Sequence, residues 1–177
     1  MLTARETVDD RDVMQALGQR LAGLLAAGDL VVLTGALGAG KTTLTQGIGA
    51  GLSVRGPVTS PTFVIARVHP PLGQGPALVH VDAYRLGSIA EVDDLDLDAT
   101  LESSVTVVEW GEGLVDDLAT DRLEIAIERP RGIRVAGPDG DRDEAQDAQQ
   151  RIVTVRGVGE RWAQVVWAQA DPPARLA

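Results

Sequence analysis

At 177 residues, with 44% hydrophobic and 24% charged side chains, the chain can bury a sizeable core and has the make-up of a soluble globular protein. It contains no cysteine, which excludes disulfides, thiolate metal sites and a cysteine nucleophile; with only 3% aromatics, aliphatic side chains must build the core. The formal net charge of −10 repels phosphate backbones at long range, so in a nucleic-acid pathway a partner is expected to hold the nucleic acid.

No basic segment followed by an apolar run opens the chain, and no apolar run approaches the length of a membrane span. The expectation is a cytoplasmic protein with no membrane partner. Residues 1–6 carry little pattern. Thr7-Val8-Asp9-Asp10 reads as a helix start, with Thr7 as N-cap and acids in the first turn. Val13, Leu17, Leu21, Leu24 and Leu25 follow at helical spacing and predict a helix packed on a sheet, ended by Gly28-Asp29. On these rules alone Thr7 and Asp10 are capping residues rather than contacts to a base.

Leu30-Val31-Val32-Leu33 is a short apolar run, as expected of a buried parallel strand. Directly after it, Gly35-Ala36-Leu37-Gly38-Ala39-Gly40-Lys41-Thr42 fits G-x-x-x-x-G-K-[ST], the phosphate-binding P-loop. A helix follows, with Leu44 and Ile48 on one face. Glycines let the backbone curl so that successive N–H groups face phosphate oxygens, and the helix N-terminus adds partial positive charge there. In such a loop Lys41 reaches the β- and γ-phosphates, the Thr42 hydroxyl holds Mg²⁺, and Thr43 bonds the α-phosphate.

Val54 to Phe63 contains two prolines and a cluster of hydroxyls, which mark a loop. It lies where P-loop proteins tend to carry a γ-phosphate-sensing switch. Thr59, Ser60 and Thr62 are candidates to contact Mg²⁺, the γ-phosphate or a partner; ordinary turn chemistry explains them equally well. A strand is predicted from Phe63 to Val68, then a hairpin-like connection over 69–76. Ala77-Leu78-Val79-His80-Val81-Asp82 has the Walker B shape, a buried strand delivering an acid to the Mg²⁺ side of the loop. His80 reads as structural, and Arg85 as a phosphate or partner contact or plain surface.

Ser88-Ile89-Ala90-Glu91 is a capping box opening a short helix. The acids around it read as a solvated face or a partner contact. Ser104 to Glu109 is a second Walker-B-like strand, so Asp82 and Glu109 compete for the metal role. Trp110, beside the acid, either shields the site from water or fills core space. Leu123 to Ile127 alternates as a half-exposed strand, residues 136–150 read as a mobile loop, and Ile152 to Arg156 as another strand. A final helix is expected over Arg161–Gln169, with Trp162, Val165 and Val166 facing in, and residues 171–177 form a tail. These elements predict one α/β domain over 1–177. It is P-loop NTPase-like, with a mostly parallel central sheet flanked by helices and antiparallel strands added.

Four pieces in order, Gly35 to Thr43, Thr59-Ser60-Pro61-Thr62-Phe63, His80 to Leu86 and Val108-Glu109-Trp110, resemble the TsaE (YjeE) family. These are small bacterial P-loop ATPases of threonylcarbamoyladenosine tRNA modification. The resemblance covers about residues 7–128. It implies ATP and Mg²⁺ binding and slow hydrolysis that supports the TsaB–TsaD pair, which forms N6-threonylcarbamoyladenosine next to the tRNA anticodon. The partners implied are TsaD and TsaB, with tRNA met only through them and the isolated chain a monomer.

By the same resemblance Leu37, Gly38, Ala39, Gly40, Lys41 and Thr42 match the ATP-binding loop. Thr42 and Glu109 match the Mg²⁺ positions, and Asp82 an acid important for hydrolysis. Thr62 falls in the switch-like segment, Trp110 near the nucleotide, and Asp10 and Arg11 where the chain passes the adenine. Ala36 replaces a common aspartate, and Asp82-Ala83-Tyr84 stands for the usual Asp-Leu-Tyr; neither change removes a phosphate or metal ligand. No arginine is fixed by the sequence as a finger, so weak intrinsic turnover is expected. A small-molecule or nucleoside kinase shares the loop but needs a lid of clustered arginines, which is not evident. A nucleotide-dependent binding module is the third reading.

Overall fold

A computed structural model describes residues 3–61, 64–86, 91, 98–116, 118–130 and 150–167. Outside them lie Thr62, nearly all of the helix expected after Ser88, most of the polar run 136–150 and the tail 171–177. Seven strands form one sheet: β1 (Thr3–Val8), β2 (Leu30–Gly35), β3 (Ala66–His69), β4 (Ala77–Asp82), β5 (Ser104–Glu109), β6 (Arg122–Glu128) and β7 (Arg151–Val158). Their spatial order is β1-β7-β6-β2-β5-β4-β3. β6, β2, β5 and β4 run parallel, while β7 and β1 at one side and β3 at the other are antiparallel additions. This is the expected α/β architecture, a mostly parallel sheet with antiparallel strands added.

Two helices, α1 (Arg11–Ala22) and α2 (Lys41–Gly51), pack on one face. The strand period of two decides what they cover. In β2, Val31 and Leu33 join the core that also contains Leu17, Leu21, Leu44 and Ile48, while Leu30 and Val32 join a smaller cluster with Val79, Val81, Val108 and Val115. Both sets are buried, which is why β2, β4 and β5 read as continuous apolar runs rather than alternating ones. β6 has a half-exposed second face, and its burial alternates as its sequence does.

Several boundaries differ from expectation. Thr7 is not the N-cap of α1; it lies in β1, paired with Ile152, a contact 145 residues away that local pattern does not reveal. Asp10 caps the helix instead, its Oδ1 accepting from Val13 N–H at 2.8 Å. The buried stripe is accordingly Met14, Leu17 and Leu21, and Val13 is exposed. The helix ends at Ala22 with Gly23 as C-cap, so Leu24 and Leu25 sit in turns beyond it. β3 begins at Ala66 rather than Phe63, because Val64 and Ile65 turn back to hydrogen-bond the Pro61 carbonyl.

No helix forms over Arg161–Trp167. One 3-10 turn, Glu160–Trp162, buries Trp162, and Val166 is exposed. β-Branched Val165 and Val166 favour a helix poorly. Trp167 is held instead by its indole N–H to Glu6 (2.6 Å) and by the Arg20 guanidinium over its ring.

α1 and α2 approach closely because Gly18 and Gly47 face each other's backbone. A Cβ on Gly47 would lie 2.2 Å from the Gln15 carbonyl oxygen. Gly47→Ala therefore forces the helices apart and is expected to cost about 1–3 kcal/mol. At this chain length that lowers Tm by roughly 2–4 °C per kcal/mol. Calorimetry of the variant checks this, and a Tm equal to that of the parent chain would contradict the tight helix contact.

Candidate functional site

The site lies where the parallel strands end. β2 runs into Gly35–Gly40 and then directly into α2. Gly38 (φ 73°) and Gly40 (φ 113°) adopt left-handed backbone that disfavours any side chain. Gly40 is the N-cap of α2 and supplies no capping side chain. The first-turn N–H groups are therefore left for a ligand, the arrangement that binds anions.

Lys41 is 4% exposed. Its Nζ donates to the Gly35 and Ala36 carbonyls at 2.8 and 3.2 Å and lies 3.7 Å from the centre of the Trp110 ring. Burial pushes its ammonium below the ordinary lysine range, and the Glu109 and Asp82 carboxyl groups pull it back up.

Strand parity brings both acids here. His80 and Asp82 share the face of Leu78, and Glu109 that of Val105 and Val107, the face covered by α1 and α2. Asp82 and Glu109 are direct neighbours across β4 and β5. Glu109 Oε1 accepts from the Thr42 hydroxyl at 2.9 Å and lies 2.9 Å from His80 Nε2. A carboxylate oxygen has no proton to give, so His80 Nε2–H is the donor. His80 is fully buried and donates to Glu109 from the same face of the sheet. Asp82 is placed differently. Its Oδ1 accepts from Tyr84 N–H at 3.1 Å, and the Ser60 hydroxyl lies 3.4 Å from Oδ2.

These groups line a cleft of about 310 Å³ formed by Leu37 to Thr43, Ser60, Asp82, Tyr84, Glu109 and Trp110. Trp110, at φ 63°, has its ring against the Lys41 ammonium and 5.2 Å from the ring of Tyr84, so it belongs to the cleft wall as well as to the core beneath. A second hollow of about 190 Å³ adjoins the first across Gly38–Gly40 and Thr43, and is walled by Asp10, Arg11, Met14 and Arg151. Asp10 thus both caps α1 and faces this hollow. Of the expected site residues, only Thr62 lies outside the described residues.

Sequence reasoning missed Arg129 and Arg151. Arg129 Nη2 donates to the Gly38 carbonyl (3.3 Å) and Arg151 Nε to that of Ala39 (3.2 Å). Burial, then the neighbouring Arg129, push the Arg151 guanidinium below its ordinary range. They flank a long polar run in sequence, and only the antiparallel pairing of β6 with β7 brings them together. The sole sequence signal is a basic residue opening the strand at Ile152.

Thr42 and Glu109 fit Mg²⁺, which takes few protein ligands and completes its shell with water and phosphate. Among the described residues no three His, Asp or Glu side chains converge as a self-sufficient metal cage. No helix among them is long and apolar enough to cross a membrane.

Sheet order, P-loop and paired acids together define a P-loop NTPase-like domain. The family model of the threonylcarbamoyl adenosine biosynthesis protein TsaE matches residues 8–135. The chain is 62% identical over 151 residues to a protein of Streptomyces coelicolor named tRNA threonylcarbamoyladenosine biosynthesis protein TsaE, covering 85% of this chain and 94% of that one. A protein of the same name from Mycobacterium tuberculosis is 54% identical over 120 residues, 64% of this chain and 71% of that one. The crystal structure of Bacillus subtilis YdiB superposes with a TM-score of 0.64 at 28% identity, covering 91% of this chain and 89% of that one. The chain belongs to the TsaE family.

The His80 bond to Glu109 has a measurable weight. His80→Leu keeps the buried bulk and removes a donor from an acid that is 4% exposed. It is expected to cost about 1–3 kcal/mol, read as a lower urea midpoint at an unchanged slope. A midpoint equal to the parent's would mean that the contact is not holding the acid.

Proposed function

We propose that this chain is a slow Mg²⁺-dependent ATPase that supports formation of N6-threonylcarbamoyladenosine in tRNA, next to the anticodon, through the TsaB–TsaD pair. One observation carries the chemistry. The Thr42 hydroxyl and the Glu109 carboxyl meet at 2.9 Å, beside Lys41 at the uncapped start of α2. A hydroxyl and an acid at that place are what a nucleotide-bound Mg²⁺ requires. Family membership supports the pathway.

In this reading the first-turn N–H groups of α2 and Lys41 hold the triphosphate, with Lys41 leaving its carbonyls for phosphate oxygens. Thr42 and Glu109 would hold Mg²⁺, which offsets charge developing on the phosphates. Asp82, one strand over, would orient the attacking water, and His80 would keep Glu109 aimed at Thr42. The nucleoside lies in the hollow of Asp10, Arg11 and Arg151. Arg129 and Arg151 donate to the Gly38 and Ala39 carbonyls at the loop, and turnover by the chain alone is expected to be weak. The chain is a cytoplasmic protein, and at net charge −10 it meets tRNA only through its partners.

Steady-state ATPase of the purified chain, alone and with TsaB plus TsaD, tests this. A low basal rate that rises with the pair is expected. Lys41→Ala should lower it by roughly a hundredfold or more, since it removes a cation from the charge that develops in the transition state. No ATP turnover, or transfer of phosphate to an added small molecule, would overturn the proposal, the second outcome in favour of a kinase.

A further inference from the structure

Gln46 sits on α2, one turn beyond Thr42 and Thr43, and its amide ties three segments together. Its Oε1 accepts from Arg11 Nη2 and Gln15 Nε2, both on α1 and both at 3.1 Å. Its Nε2 donates to the Val58 carbonyl, also at 3.1 Å. The two donors on one side and the carbonyl on the other fix the amide's orientation: the reverse would set N–H against N–H and C=O against C=O.

Each end of this bridge leads to part of the site. Arg11 walls the hollow beside Gly38–Gly40 and Thr43. Val58 is buried, packed over Gly49, where an added Cβ would lie 2.6 Å from its methyl. Past Val58 the chain reaches the phosphate cleft in two residues. Thr59 Oγ1 accepts from Arg67 Nη1 at 2.6 Å, and the Ser60 hydroxyl faces Asp82. A single side chain therefore stands between the residue at the nucleoside end and the loop at the phosphate end.

We infer that Gln46 is a positioning residue that couples the nucleoside end of the site to the 58–60 loop. Holding Arg11 through the nucleoside holds Gln46, and Gln46 holds the Val58 carbonyl and with it the approach of Ser60 to Asp82. The nucleoside then accelerates the phosphate chemistry instead of only tightening binding, the use of remote contacts that raises kcat rather than lowering KM. The inference rests on the ATP reading above.

Gln46→Glu separates the two ends. It keeps an acceptor for Arg11 and Gln15 and loses the donor to Val58. The measurements are ATP binding by calorimetry, ATP turnover with TsaB plus TsaD, and trypsin cleavage at Arg55 and Arg67, which bracket the loop. In the parent chain ATP should slow cleavage and inorganic triphosphate should not. In Gln46→Glu the Kd for ATP should stay within about twofold while kcat falls about tenfold and protection is lost. Gln46→Met, which lacks both ends at similar length, should lose kcat and protection too. Variants that keep the parent's kcat and protection would overturn the inference. A parent chain that binds no ATP would instead overturn the nucleotide reading itself, before any variant is compared.

Discussion

A buried ammonium group is the constraint around which this molecule is arranged. Lys41 starts a helix in a place that excludes most water, and burial works against its charge. The charge is kept by what surrounds it: two loop carbonyls, the face of Trp110, and the fields of Glu109 and Asp82. Each is a weaker partner than a phosphate. The loop carbonyls and the ring satisfy Lys41 at the cleft wall while leaving the α2 N-terminus open.

Placing that lysine needs the sheet and the glycines together. β2 lies between β5 and β6, so the loop after it meets the end of β5, and the shared register of β4 and β5 sets Asp82 beside Glu109. Parity then points both acids, and His80, at the α2 side. Gly18 and Gly47 let α1 lie against α2 at backbone distance. That contact brings Asp10 and Arg11 beside Gly38–Gly40, so the hollow there is a product of helix packing as much as of the loop.

How much of this was legible follows from the range of the interactions. The P-loop was readable because its chemistry is local: glycines, lysine and threonine within eight residues, between an apolar run and a helix face. The buried parallel strands were readable as apolar runs. Asp82 and Glu109 were both visible as strand-ending acids, but what distinguishes them, contact with Thr42 for one and with Ser60 for the other, is tertiary. β1 was missed because Thr7 owes its strand to Ile152, and the helix start was assigned to Thr7 in place of Asp10 for the same reason. The helix expected after Arg161 failed because Trp167 bonds Glu6, a partner no periodicity shows. Arg129 and Arg151 lacked any motif, since only the β6–β7 pairing makes them neighbours.

The placement of charge ties these parts together. In a chain of net charge −10, Arg11 and Arg151 stand around one small hollow, and Arg129 holds the loop beside it. Burial first, and then Arg129 beside it, lower the affinity of Arg151 for its proton. Like charges set together in a fold that has acids to spare are best understood through what the hollow receives. In the reading proposed above the hollow takes the nucleoside while the triphosphate lies at Lys41 and the start of α2, so these arginines border the phosphates rather than hold them, and the net charge of −10 works against polyanions. The same arrangement separates the two kinds of phosphate in the proposed pathway. In that reading a nucleotide is small enough to span the cleft and the hollow, whereas a nucleic-acid backbone meets a chain of net charge −10.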